Sequence, residues 1–140
     1  MGEATLIELE AGIEDEIQQF VAENWDFFAR WDSGQIPTDR IEWLHGREVD
    51  DRLLVNDQIP GAIETKDGFA TEFLSMHGRF ADDPVSARID LLFAGKLAPD
   101  VYVVTYRQHY DASSGRSTNR VITEVLVRKD GALRVQYIHE

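Results

Sequence analysis

The stretch from residue 100 to 139 most constrains what this chain can fold into. Asp100 to Asp111 (DVYVVTYRQHYD) and Arg116 to Arg128 (RSTNRVITEVLVR) are rich in Val, Ile, Thr and Tyr and bounded by turn residues, the pattern of β-strands. DASSG between them supplies a hairpin loop, and Lys129-Asp130-Gly131 a tight turn whose Asp-Gly pair tolerates positive φ. Ala132 to His139 (ALRVQYIH) then continues the meander, so three strands pair in sequence order. A sheet of this size needs a cover on one face. The apolar helix near the N-terminus is the one segment large enough.

That helix is legible from Ile13, Ile17, Phe20, Val21, Asn24 and Phe28, which recur at helical spacing. Glu14, Asp15 and Glu16 fill the first turn, where the helix dipole favours acids, and Ser33-Gly34 ends the element. Trp25, Phe27, Phe28 and Trp31 do not fit on one narrow face, so the C-terminal half is expected to touch more than one layer. After Pro37, Thr38 can cap a short helix through Ile41, Trp43 and Leu44, closed by Gly46. Arg52 to Asn56 reads as a short strand and Asp57 to Gly61 as a turn. Thr65 can cap a third helix carrying Phe69, Phe73, Leu74 and Met76, stopped at Gly78. Val85 to Ala94 reads as a strand that residues 95–99 turn back into the meander. The expected architecture is α+β, with about three helices from the N-terminal half packed on a curved, mainly antiparallel sheet.

A chain of 140 residues falls within the size of one domain, 1–140, and buries a core without staples. It has no cysteine, which removes disulfides, thiolate metal sites and cysteine nucleophiles. With 26 acidic against 14 basic residues, the net charge of -12 repels phosphate backbones and anionic lipid, so neither nucleic acid nor membrane is an expected partner. The opening MGEATLIELEAG lacks the basic and apolar regions of an export signal, and a cytoplasmic location is expected. His45, His77, His109 and His139 are scattered without metal-ligand spacing, and glycine loops of the nucleotide-binding type are absent, so no metal and no cofactor are expected.

Several stretches, in order, are similar to the nuclear transport factor 2-like superfamily, the cone-shaped fold of ketosteroid isomerases, SnoaL-like polyketide cyclases and the association domain of calmodulin-dependent kinase. Asp50-Asp51, Leu53-Leu54-Val55-Asn56-Asp57 and Pro60-Gly61 resemble the isomerases' paired acids, short strand, Asp and Pro-x-Gly turn. Arg128-Lys129-Asp130-Gly131 with alternating Leu133, Val135, Tyr137 and His139 resembles the ending of the SnoaL-like and association domains. The resemblance spans roughly residues 12 to 139. It implies a pocket for a small apolar or amphipathic organic ligand between the first helix and the sheet, and a homodimer.

By that resemblance, Asp57 stands where the isomerases place a general base, with a local count one residue longer. Glu124 falls where they hold a protonated acid that donates a hydrogen bond to a developing oxyanion. The activity implied is an isomerase, cyclase or dehydratase type of proton transfer without a cofactor. The first helix offers no tyrosine to complete the isomerase set, which counts against steroid isomerisation. The alternative is a noncatalytic ligand-binding or dimeric assembly domain of the same fold.

Glu124 also stands out without the comparison. Strand alternation puts it on the face of Ile122 and Leu126, where burial would raise its pKa. The competing reading is a structural carboxylate paired with Arg120 or Arg107. For Asp57 it is a turn-initiating aspartate bonded to nearby backbone N–H groups. The candidate binding residues are Trp25, Phe28, Thr105, Arg107, His109, Arg120 and Tyr137. Thr105, Arg107 and His109 alternate with Tyr102, Tyr106 and Tyr110, and alternation alone leaves open which set lines the concave side. Comparison with the association domain, whose equivalent strand sends an arginine inward, implies the first. Trp25, Phe28, Trp43 and Phe73 read first as core, and Glu48, Asp50 and Asp51 as a solvated acidic loop.

Overall fold

A computed structural model describes residues 8–56 and 62–140. Helix α1 (Ile13–Asp32) is followed by a single turn of 3-10 helix and α2 (Ile41–His45), then strands β1 (Glu48–Asn56) and β2 (Ala62–Thr65). Helix α3 (Lys66–Met76) precedes four long strands: β3 (Val85–Ala98), β4 (Val101–Ala112), β5 (Ser117–Lys129) and β6 (Ala132–His139). The sheet order is β2-β1-β6-β5-β4-β3. Every pair is antiparallel except β1 with β6, which run parallel. Three helices on a mainly antiparallel sheet make the α+β architecture expected from the pattern of elements.

The meander follows its turn chemistry. Asp130 (φ 53°) and Gly131 (φ 79°) supply the two left-handed residues that reverse β5 into β6. Three boundaries differ from expectation. β3 runs through Gly95 to Ala98, absorbing the flexible residue in a stretch of shifted register, and reverses at Pro99-Asp100 instead. β1 starts at Glu48 because β6 holds this polar stretch in parallel, pairing Glu48 with Val135. The third difference is β2 itself, a strand that four residues of ambiguous pattern did not announce; Thr65 ends it and stands, as expected, directly before the first residue of α3.

Two apolar clusters explain the wide stripe of α1. Ile13, Ile17, Val21 and Trp25 pack on Tyr102, Val104, Tyr106, Ile122 and Leu126 of the sheet. Phe27 and Trp31 turn the other way, onto Leu44 and Phe73. The indole N–H of Trp31 donates to the Phe73 carbonyl at 2.8 Å, satisfying the one polar atom that this burial would strand. The end of α1 is closed by the segment after α3: Gly78 N–H and Phe80 N–H donate to the carbonyls of Trp31 (3.0 Å) and Asp32 (2.7 Å). The backbones meet closely there. A Cβ on Gly34 would lie 3.3 Å from the Gly78 Cα, and Gly34 has φ 70°, so both crowding and conformation call for glycine.

Candidate active site

A cavity of about 280 Å³ lies between helix α1, helix α3 and the concave face of the sheet. Asn24, Trp25, Phe28 and Asp32 of α1 form one wall, and Phe69, Glu72 and Met76 of α3 another. β1 contributes Glu48, Arg52 and Leu54. The long strands and the residue after them contribute Tyr110, Arg120, Glu124, Val135, Ile138 and Glu140. Aromatic rings therefore face a set of buried charges across a small space.

Glu124 sits at the base of this set and is 2% exposed. It pairs across the sheet with Val104 and Ile138, both buried, so its carboxyl points into the core side. The Tyr106 hydroxyl donates to Oε2, and the Trp25 indole N–H in turn donates to that hydroxyl at 2.6 Å. Burial pushes the Glu124 pKa up to about 7; the Tyr106 hydrogen bond opposes this, and the charges of Glu140 and Glu48 add to it. At neutral pH the carboxyl therefore exchanges between a proton donor and an acceptor. The same burial, beside Glu124, raises the Tyr106 phenol well above its ordinary value, which keeps its proton available to the carboxylate. Replacing Tyr106 with Phe leaves the Trp25 N–H without an acceptor. Urea denaturation of Tyr106→Phe is expected to show a loss of about 1–3 kcal/mol. NMR titration of that variant should place the Glu124 pKa higher still, because its one lowering hydrogen bond is gone.

Asp32, at the last turn of α1, is a second buried acid. Arg79 Nε and Nη2 donate to its two oxygens at 3.1 Å each, and the Tyr110 hydroxyl donates to Oδ2 at 3.1 Å. Burial raises its pKa and the Arg79 hydrogen bond and charge oppose that rise. Glu48 and Arg52 make a buried ion pair on β1. Arg120 donates to Glu140 at 3.1 Å, its guanidinium 5.5 Å from the Trp25 ring centroid.

The residues singled out in the sequence separate into two faces. Trp25, Phe28, Arg120 and Glu124 line the cavity. Thr105, Arg107 and His109 lie on the opposite face of β4, where Thr105 bonds Thr123 (2.9 Å), Arg107 bonds Asn119 (2.9 Å) and His109 bonds Asp90 (2.8 Å). The concave face instead takes Tyr102, Tyr106 and Tyr110, whose rings bury more apolar surface against α1. Tyr137 also lies outward: β6 shifts register at Gln136, which puts Ile138 inward and leaves Tyr137 beside His139. Glu48 is no part of a solvated loop; it is 6% exposed and faces Arg52, whereas Asp50 and Asp51 are exposed. Glu124 has neither Arg107 nor Arg120 as its hydrogen-bond partner, since Arg107 is on the far face and Arg120 is taken by Glu140 and Gln108. Asp57 lies outside the described residues.

Solved structures of the same shape match nearly the whole chain. An NTF-2 like protein of unknown function from Pseudomonas aeruginosa is 25% identical, with 91% of this chain and 94% of that one covered and a TM-score of 0.65. The chain has the nuclear transport factor 2-like fold. Aln2 from a Streptomyces species superposes with a TM-score of 0.70 at 14% identity, over 95% of this chain and 92% of its own. The association domain of CaMKII from C. elegans gives 0.61 at 14% identity, over 93% and 95%. No family model and no curated protein matches the sequence. Among its described residues, this NTF2-like chain has no helix long and apolar enough to cross a membrane.

Proposed function

We propose that this NTF2-like chain binds a small, largely apolar organic molecule in the cavity, with the Glu124 carboxyl as hydrogen-bond donor to a ligand carbonyl. The observation that carries the reading is a buried, titratable acid in the cavity wall facing aromatic side chains, held through Oε2 by Tyr106 and, behind it, by Trp25. A proton donor on a carbonyl lowers the barrier to enolisation. The resemblance to SnoaL-like and ketosteroid isomerase-like enzymes supports Asp57 as the base in such a proton transfer. The described end of β1 reaches the cavity: Val55 accepts a hydrogen bond from the backbone of the cavity-lining Glu140 at 2.9 Å.

The test is binding of 4-isopropylacetophenone, a one-carbonyl probe that fits the space, as a function of pH. Affinity is expected to fall about tenfold as pH rises through 7, because the ionised carboxylate repels the carbonyl oxygen that the acid binds. Glu124→Gln, a permanent neutral donor, should bind without that dependence. A pH-independent wild type would remove Glu124 from the site.

The second reading, a dimeric assembly domain, is favoured by the other face of the sheet. Val103, Val125 and Tyr137 form a cross-strand row there, with Phe93 (45% exposed) diagonal to Val103 and Val121 (45% exposed) further along β5 beyond Thr123, apolar side chains of the kind that a second copy covers. Sedimentation equilibrium is expected to give twice the 16.0 kDa chain mass. A mass of one chain would dispose of the dimer and leave the ligand reading intact.

A further inference from the structure

We infer that Trp25 is a positioning residue for the Glu124 acid: its indole N–H fixes the Tyr106 hydroxyl as donor to Oε2, so that the proton of the neutral carboxyl is carried on Oε1. The placement of the proton stands on this hydrogen-bond relay alone; what it means for a ligand rests on the binding reading of the cavity. An indole N–H can only donate, so the 2.6 Å contact makes the Tyr106 oxygen its acceptor. A phenol carries one hydrogen, and the other partner of this hydroxyl among the described residues is Glu124 Oε2. Tyr106 is wholly buried, so its hydrogen has no solvent to turn to. A proton on Oε2, aimed at Tyr106, would turn the phenol hydrogen away from the carboxyl and onto the indole N–H. Two hydrogens would then face each other with no acceptor between them, in a site where an unmade hydrogen bond is costly. A proton on Oε1 leaves both contacts intact. The carboxyl hydrogen is then the one member of the relay without an acceptor inside it, and a ligand carbonyl that meets the acid meets it at Oε1.

Packing sets the direction of the indole. The ring of Trp25 lies 4.9 Å from that of Phe28 and edge-on to Tyr110 at 5.9 Å, and the Arg120 guanidinium stands 5.5 Å over it. Trp25 comes from α1, Tyr106 from β4 and Glu124 from β5, so the relay is tied to the contact of helix and sheet and not to a loop. The charged groups that act on Glu124 are Glu140, after β6, and Glu48 of β1. Each is paired with an arginine, Arg120 and Arg52 respectively, and neither hydrogen-bonds the Glu124 carboxyl. The Tyr106 hydroxyl is its one hydrogen-bond partner among the described residues, and whatever fixes that hydroxyl fixes the acid. Removing the N–H while keeping a ring, as in Trp25→Phe, frees the hydroxyl to turn over. The neutral acid can then donate to Tyr106 through Oε2 as well as outward through Oε1.

The C–O stretch of a phenol reports whether its hydroxyl donates or only accepts, and infrared difference spectra of the ligand-free protein between about pH 5.5 and about pH 8.5 span the Glu124 titration. Tyr106→Phe assigns the band among the four tyrosines. The wild-type band is expected at the donor position at both ends of the range. In Trp25→Phe it should move towards the acceptor position at the acid end. For 4-isopropylacetophenone, Trp25→Phe should raise the midpoint of the pH response by about half a unit to one unit, the worth of one neutral hydrogen bond to the protonated acid. Its affinity at the acid end should fall about twofold, because only part of the neutral acid then faces outward. A residue that merely fills the wall would lower affinity at every pH and leave midpoint and band unmoved. A wild-type band that switches as Glu124 takes up its proton would overturn the assignment to Oε1, whether or not the variant folds. An unmoved band and midpoint in a Trp25→Phe protein that melts cooperatively would overturn the role of Trp25. If neither form binds the probe, the binding reading falls while the ligand-free spectra still decide the relay.

Discussion

Between pH 5 and pH 7 the wild-type protein is expected to lose stability as pH rises, and Glu124→Gln to lose much less. The sign follows from the direction of the Glu124 shift. Its folded carboxyl titrates near pH 7 and its ordinary value is 4.5, so over that window the folded chain holds a proton that the unfolded chain has released. Stability from this group is complete below the unfolded value and is lost as pH passes through the folded one. At about 1.4 kcal/mol per pH unit, the gap corresponds to roughly 3 kcal/mol. Asp32, also raised by burial, tilts both proteins the same way, so the difference between the two curves isolates Glu124. Urea denaturation across pH 4.5 to 8.5 supplies both curves. Parallel curves would mean that Glu124 is ionised in the folded protein throughout, and the donor role proposed for it would go.

Phe73→Ala is expected to cost about 3–5 kcal/mol, the range for removing a buried aromatic ring. Phe73 is 1% exposed and its ring stacks on Trp31 at 4.5 Å, with Phe28 edge-on at 5.3 Å and Phe69 at 5.6 Å. It therefore joins α3 to both the second core cluster and the cavity wall. The substitution leaves the Phe73 carbonyl that accepts the Trp31 indole N–H, so the loss reads ring packing alone. A fall in the denaturation midpoint with an unchanged slope is the expected form, and Phe73→Leu should recover most of it. A loss below about 1 kcal/mol would show that α3 is not held by this stack.

Much of this arrangement was legible because local rules and tertiary demands agree. The Asp130-Gly131 turn sets the reversal of β5 into β6, and the parity of Ile122, Glu124 and Leu126 sends all three to one buried face. The stripe of α1 was equally clear, and its excess of aromatics signalled the second cluster that it serves. What stayed hidden depends on partners distant in sequence. Both faces of β4 carry polar tips on apolar stems, so only the choice of packing partner, α1, settles that Tyr102, Tyr106 and Tyr110 turn inward. Glu48 looks like a surface acid until β6 pairs with it and Arg52 meets it. Asp32 and Arg79 are likewise ordinary helix-end and loop charges in the sequence, and become a buried pair only because the chain after α3 closes over the end of α1. The first helix carries no tyrosine, and the one that meets Glu124, Tyr106, comes from the sheet.

The shifted register of β3 has a consequence beyond the turn that it displaces. β3 is the outermost strand on its side of the sheet, and Leu92, Phe93 and Leu97 are exposed along it. A flat strand of that length would offer an open ladder of N–H and C=O groups to any extended chain, the usual start of edge-to-edge aggregation. Its register breaks between Leu91 and Phe93 and again between Lys96 and Ala98, so the half that carries Leu92, Phe93 and Leu97 presents no long uninterrupted ladder. Lys96, paired with Glu10, and Arg88, 2.9 Å from Asp111, add charge to the same strand. The irregularity that shapes β3 thus also serves as its protection against fibrous self-association.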